Sequence, residues 1–374
     1  MPNALADRIS GADTNGICPK EVVWGDRVYH TLHSQDVPGV AAALANNNSL
    51  EMLSVSNSDM RPEDAVVLID AMASIRCMHT LIVRRIFIGT PGARALANLL
   101  RANKRLKHLE VVTCGIGSEG MAEVARAISE TNRLQTLKIT DNPVGPDGAR
   151  ELAAALHTNT SLFTLDIGSA NIRDEGACAL AGALTCNNTL QSINLFRNAI
   201  GDAGAQALGR ALPDNDSLIG LLLGDNCIGD DGAVALARGL ADNFRLEVLW
   251  LTSNRVGDRG AHALADTVTD HLALTELKLM SNRIGNAGGQ ELANAVAANP
   301  IMVTMSVSCN DVDGEIRNAI DSLLRQSSLR KRVLRRTRRQ AEAAHAAKLS
   351  RRKAAALQAA TSPVTPNYAQ PPAN

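Results

Sequence analysis

Aromatic residues are scarce: four Phe, two Trp and two Tyr make up 2% of the 374 residues. A core built around large rings is therefore excluded, and aliphatic side chains must carry the 45% hydrophobic share. That share in turn excludes wholesale disorder. No apolar run approaches the ~20 residues needed to span a bilayer. The opening stretch MPNALADRISGADTNG has no apolar segment and carries acids, so no secretory or mitochondrial signal is expected. Seven cysteines (Cys18, Cys77, Cys114, Cys178, Cys186, Cys227 and Cys309) are an odd number without CxxC pairs. This favours a reducing compartment and removes the common zinc spacings. A cytoplasmic location is expected, or a nuclear one if a basic segment near the C-terminus acts as an import signal.

Signatures of catalysis are missing too. The eight histidines are scattered without HExxH spacing, and neither GxSxG nor GxxxxGK[ST] occurs. No enzyme activity, cofactor, metal or small-molecule substrate is expected. Net charge is also zero, but only as a sum. Residues 1–324 hold 26 Lys+Arg against 37 Asp+Glu, a balance of −11. Residues 325–353 hold 12 Lys+Arg against Glu342 alone, a balance of +11.

What is present is a repeat. Units begin at Leu50, Met78, Leu106, Leu134, Leu162, Leu190, Leu218, Leu246, Leu274 and Met302, always 28 residues apart. The third residue after each start is aliphatic or Met throughout, from Leu53 to Met305. So is the fifth, from Val55 to Val307. Period-2 burial predicts a short strand with one buried face. Eight residues after the start stand Asn142, Asn198, Asn226, Asn254, Asn282 and Asn310, with Cys114 in the same column. Stacked amides there predict a ladder bonding to turn backbone, weakest where Ser58, Ile86 and Ala170 interrupt it.

The second half of each unit has helical period. Asp174, Asp202, Asp230 and Asp258 precede it as candidate N-caps, with Pro62 and Pro146 in the same column. A glycine follows two residues later, from Gly92 to Gly288, usually with Ala next. One such unit cannot bury its own apolar face, but stacked units share a continuous core. The expected fold is an α/β horseshoe solenoid, with a parallel sheet on the concave face and helices on the convex face.

The pattern from Leu246 to His271, LxxLxLxxNxIGDxGAxALAxALxxN in outline, resembles the leucine-rich repeat of ribonuclease-inhibitor type. The resemblance covers residues 50–324, and residues 21–49 are similar to a degenerate N-terminal cap. It implies a protein-binding scaffold, because this repeat class includes ribonuclease inhibitors, the sensor ends of NOD-like receptors and the Ran GTPase-activating protein. Constant repeat length and scattered cysteines depart from ribonuclease inhibitors. The 49 residues before the repeats leave no room for a nucleotide-binding domain, and a basic C-terminal segment replaces the acidic one of the Ran regulator. No motif transfers a functional residue from any of these. The expected organisation is a disordered 1–20, a cap at 21–49, ten repeats over 50–324, a basic helical tail over 325–360 and a disordered Pro-rich end at 361–374.

Strand positions alternating with the buried leucines vary, which suits a displayed surface. Phe196, Leu222, Trp250 and Met280 fall there on four consecutive strands and form a candidate partner-binding cluster. The same residues would also serve by stacking on one another or packing beneath the tail. Arg197, Arg255 and Arg283 stand just beyond as a candidate anionic rim, or as ion-pair partners of acids such as Asp225. Arg84 and Arg85 sit inward or along the concave edge in a stretch between Asp70 and Glu110 that holds eight Lys+Arg and no acid. In the tail, Arg330, Lys331, Arg332, Arg335, Arg336, Arg338 and Arg339 suit three roles: binding nucleic acid, binding an anionic membrane, or strapping over the acidic body. A protein-binding scaffold is the leading expectation. The alternatives are a GTPase-activating regulator of a small GTPase and a tail-anchored binder of nucleic acid or membrane.

Overall fold

A computed structural model describes residues 6, 9, 20–24, 32–56 and 60–325. Short strands occur where the alternation placed them. They are β1 Glu21–Trp24, β2 Met52–Ser56, β3 Thr80–Arg84, β4 His108–Val112, β5 Thr136–Lys138, β6 Thr164–Asp166, β7 Ser192–Asn194, β8 Gly220–Leu222, β9 Val248–Trp250, β10 Glu276–Lys278 and β11 Thr304–Ser306. Each is only three to five residues long because the pattern holds for no more than two buried positions before the turn. The strands form one parallel sheet in strict chain order, β1 to β11.

The register explains why the repeat length is constant. Leu53 pairs with Leu81, which pairs with Leu109, and the 28-residue offset continues through Leu137, Leu165, Ile193, Leu221, Leu249, Leu277 and Met305. A unit of any other length would displace one leucine from this row. The row is buried throughout. Truncating a member such as Leu221 to Ala should cost about 2–5 kcal/mol, since neighbours on both sides are fixed by the sheet.

A helix follows each strand from β2 onward. These are α2 Pro62–Met72, α3 Gly89–Ala102, α4 Ser118–Thr131, α5 Gly145–Thr158, α6 Arg173–Leu184, α7 Asp202–Ala211, α8 Asp230–Ala241, α9 Asp258–Asp270, α10 Asn286–Ala298 and α11 Gly314–Arg325, with α1 Val37–Ala45 before β2. Consecutive helices pack side by side in a second layer. Their buried faces are mostly Ala, Leu and Gly, which fill the thin space between layers without aromatic rings.

The aspartate column does something other than local capping. Asp202, Asp230 and Asp258 are the first residues of their own helices, whose N-caps are Gly201, Gly229 and Gly257 without a side-chain bond of their own. Asp174 lies in the first turn of α6. Each carboxylate reaches the next unit. Asp174 Oδ1 accepts from the N–H groups of Gly201 (2.7 Å) and Gly204 (2.9 Å). Asp202 does the same for Gly229 and Gly232, Asp230 for Gly257 and Gly260, and Asp258 for Gly285 and Gly288. Two otherwise orphan helix donors are thereby satisfied from the preceding repeat. The glycine two residues into the helix follows from this: a Cβ on Gly232 would lie 2.7 Å from Asp202 Oδ1 and 2.9 Å from Ala205 Cβ.

Two amide ladders run through the turns. In the expected one, Asn226 Oδ1 accepts from the N–H groups of Asn198 (2.9 Å) and Ile200 (3.0 Å), while its Nδ2 donates to Leu195 O (3.0 Å). Cys114 substitutes for the amide, donating its thiol to Val83 O (3.5 Å) and Val112 O (3.2 Å). Burial pushes that thiol up to about 11. A second ladder follows most helices, with Ile75, Thr131 and His271 standing in its column in place of Asn. Asn215 Oδ1 accepts from the N–H groups of Ser217 and Leu218, and its Nδ2 donates to Leu184 O (2.7 Å) and Asn187 O (3.1 Å). Asn47, Asn103, Asn159, Asn187, Asn243 and Asn299 repeat the pattern.

Candidate partner-binding face

The solvent face of the sheet carries three rows of side chains, two, four and six residues after each repeat start. The middle row reads Glu110, Lys138, Asp166, Asn194, Leu222, Trp250 and Lys278 in register across β4 to β10. Leu222 and Trp250 are therefore direct cross-strand neighbours, the closest contact available to parallel side chains. Both are half-buried.

Phe196 and Met280 belong to the outer row, three strand steps apart, a span on the order of 14 Å. They are 40% and 38% exposed, against near-complete burial of the adjacent core columns. Phe196 lies against Gly224 of the next unit, where a Cβ would come within 2.9 Å of the ring. Glycine at 224 thus makes room for the ring. The four apolar residues accordingly form a zigzag over β7 to β10 and not a single stack.

Trp250 is anchored by two residues from β10. Its indole N–H donates to Glu276 Oε1 (2.8 Å), and Lys278 Nζ sits 3.6 Å from the ring centroid. Glu276 and Lys278 also pair with one another at 3.0 Å. The cation over the π face and the hydrogen bond at the edge hold the indole in one orientation. Glu276 stands in the row two after the repeat start, one step earlier along the alternation than the positions singled out from the sequence. Extending the period-2 pattern by that step would have found it, along with Val248 beside it.

The arginines divide. Arg197 pairs with Asp225 at 2.8 Å, both of them exposed, so one of the two readings of the rim applies to it. Arg255 and Arg283 are exposed, and among the described residues neither side chain makes an ion pair. They leave the turns in adjacent units, Arg283 N–H bonding to Val256 O and Arg255 N–H to Ile228 O. Arg84, on β3, is four strands away from the near end of the apolar zigzag and is engaged by Glu110 at 2.6 Å, which also meets Lys138 at 3.7 Å. Arg85, exposed and in the left-handed region at φ 54°, follows it. The structure therefore does not bring Arg84 and Arg85 together with Phe196, Leu222, Trp250 and Met280. Near Arg85, Phe87 is 62% exposed, a large apolar residue that the strand alternation alone did not single out.

The tail residues Arg330, Lys331, Arg332, Arg335, Arg336, Arg338 and Arg339 lie outside the described residues. Among the described residues, no group of three or more His, Cys, Asp and Glu is arranged to hold a metal ion. No described helix is long and apolar enough to cross a membrane.

The family comparison agrees with the geometry. The Leucine Rich repeat family matches residues 102–125, 133–153, 158–181, 186–209, 218–237, 242–265 and 273–293. Among solved structures, the chain is similar to the actin-binding site 2 of leiomodin-1, at 16% identity and a TM-score of 0.27, over 60% of this chain and 95% of that one. It is also similar to a chain of the Rad7 and Elc1 complex in yeast, at 15% identity and a TM-score of 0.42, over 84% of both. No curated protein matches.

Proposed function

Given that the chain is a leucine-rich repeat protein, we propose that it is a scaffold whose sheet face, over β7 to β10, binds a protein partner. The observation that carries this reading is the apolar zigzag of Phe196, Leu222, Trp250 and Met280 on four adjacent strands, with its ends exposed and its indole held rigid. A fixed aromatic with a cation and a carboxylate beside it loses little conformational entropy on binding. Arg255 and Arg283 border the patch with uncommitted guanidinium groups, which suits a partner carrying carboxylates around an apolar centre.

The test is partner recovery with full-length protein carrying Phe196→Ala and Trp250→Ala together. Each truncation of an interface anchor typically costs about 2 kcal/mol or more, roughly thirtyfold in affinity. Partners bound through this face should be lost while the thermal melt stays cooperative. Recovery of the same partners at the same yield would show the reading to be wrong. A narrower reading, regulation of a small GTPase, is tested by GTP hydrolysis across a panel of purified GTPases. Acceleration of one member is the result it requires, and no acceleration of any contradicts it while leaving the scaffold reading intact.

A further inference from the structure

Far from the apolar zigzag, the loops that enter β2 to β5 frame a cleft of about 730 Å³ lined by Glu51, Cys77, His79, Lys104, Arg105, Lys107 and Arg133. Many cations of the repeats are matched by acids: Arg84 by Glu110, Arg101 by Glu130, Arg126 by Glu123, Arg197 by Asp225 and Arg259 by Asp231. The four in this cleft are not. Among the described residues, Lys104, Arg105, Lys107 and Arg133 make no ion pair, and Lys104 Nζ bonds only the Arg101 carbonyl at 3.1 Å. All four are exposed. The one carboxylate in the lining, Glu51, is already taken by Lys20 at 2.9 Å and by His79 at 3.5 Å.

The repeat itself enforces this convergence. Lys107 N–H bonds the His79 carbonyl at 2.9 Å, which stacks the two residues one strand apart. Lys104, Arg105 and Lys107 leave the same helix-to-strand turn, and Arg133 occupies, 28 residues on, the position of Arg105. Neighbouring His108 ionises below the usual histidine range, through burial first and then through the positive charge of His79, Lys107 and Lys138. Positive charge from these neighbours therefore reaches His108 at that edge.

We propose that this cleft binds a compact oligophosphate anion. The lining offers point charges from lysine and planar forks from arginine, the two groups that hold phosphate oxygens. Every lining side chain is ionisable, and none is Phe, Tyr or Trp. A nucleic acid would find no Phe, Tyr or Trp to stack its bases on, and an acidic peptide no aliphatic or aromatic pocket for an apolar anchor. A dense cluster of phosphate oxygens needs neither. The phosphates can belong to a free molecule or to a lipid headgroup, which present the same chemistry. The site is independent of the sheet-face reading.

The experiment uses the full chain, titrated calorimetrically with sodium tripolyphosphate at about 0.15 M salt, where only close charge pairs persist. Vesicles with and without phosphatidylinositol 4,5-bisphosphate form the second arm, read by cosedimentation. Lys107→Gln with Arg133→Gln should weaken binding at least tenfold. Arg173→Gln with Arg317→Gln, an equal charge loss at exposed positions elsewhere, should leave it unchanged. Amine acylation read by mass spectrometry should show Lys104 and Lys107 protected by the ligand and Lys278 not. Loss in the cleft variant with tripolyphosphate alone assigns the free source, and with vesicles the headgroup source; either supports the site. Three results overturn it: no binding by the wild type, equal binding by the cleft variant, or protection confined to tail lysines such as Lys331 and Lys348.

Discussion

At the scale of the residue, His271 is the most informative exception. It stands in the buried column otherwise filled by Asn187, Asn215, Asn243 and Asn299, and it performs half of the amide's work. Its Nδ1 accepts from the N–H groups of Ala273 (3.1 Å) and Leu274 (2.8 Å), which only a neutral ring can do. Its buried Nε2 makes no well-formed hydrogen bond, although the Asn243 and Leu240 carbonyls lie close enough to favour the charged ring in part. Burial brings its pKa down to about 4, against about 6.5 when unfolded. A group whose neutral form is held by the fold takes up its proton more readily in the unfolded chain. Stability is therefore full above pH 6.5 and falls as pH drops towards 4. From this site alone the loss at pH 5 should be about 2 kcal/mol. His271→Asn restores the second donor and removes the titration, so its urea midpoint should change less between pH 7 and pH 5 than the wild type's. Parallel losses in the two proteins would assign the pH dependence elsewhere. Substituting Ala at Asn215 is the complementary case. It strands two buried N–H groups and two carbonyls and should cost about 2–3 kcal/mol in urea unfolding.

Residues also mark where the sequence was silent. The position seven after each repeat start holds φ near +55° in nine units, at Arg85, Thr113, Asp141, Ser169, Arg197, Asp225, Ser253, Ser281 and Cys309. No glycine announces it. The left-handed residue is held by its own N–H bonding into the next unit, as Arg85 to Val112 O and Ser169 to Phe196 O. This holds even where Ile86 and Ala170 replace the amide that follows, so composition at that column carries no signal. The buried amide after it was legible because it repeats, whereas the left-handed turn before it was not.

At the scale of the element, the helices start by borrowing. Sequence alone reads an aspartate before a helix as its own cap, and the 28-residue spacing hid the alternative, since the carboxylate moves one full unit without changing column. The glycine column was legible in sequence but not its cause, which is the carboxylate and alanine arriving from the preceding repeat. Asp230→Ala should remove both bonds to Gly257 and Gly260 and cost about 1–2 kcal/mol, as loss of a helix cap does. Because the bond joins two repeats, amide exchange should accelerate in the first turn of α9, one unit away from the substitution. Acceleration confined to α8 would mean the carboxylate serves its own helix. The last members of the series differ in chemistry only: Asn286 Oδ1 accepts from Asp313 N–H (2.7 Å), and its Nδ2 donates to Asp313 Oδ2 (2.6 Å) ahead of α11.

At the scale of the whole molecule, the period of 28 dictated nearly all of the architecture, because a parallel sheet in chain order has one register once every unit has one length. The candidate face was legible in part. Phe196, Leu222, Trp250 and Met280 stood out as large apolar residues in variable columns, but the Glu276 and Lys278 clamp on Trp250 is a cross-strand relation invisible until the strands are paired. The charge split of −11 and +11 is likewise a property of the whole chain. Within the repeats, where acids are in excess, many cations are paired with an acid, and four without an ion pair among the described residues are concentrated at one edge. A protein partner is proposed to sit on the sheet face over β7 to β10. The most direct measurement places a photo-crosslinking residue at Met280 and, in a second protein, at Asp266 on the helix side. An adduct to a partner protein should form from position 280, vanish when Phe196→Ala and Trp250→Ala are added, and be absent from position 266. An adduct from position 266 alone, or one from 280 untouched by those substitutions, would contradict the claim.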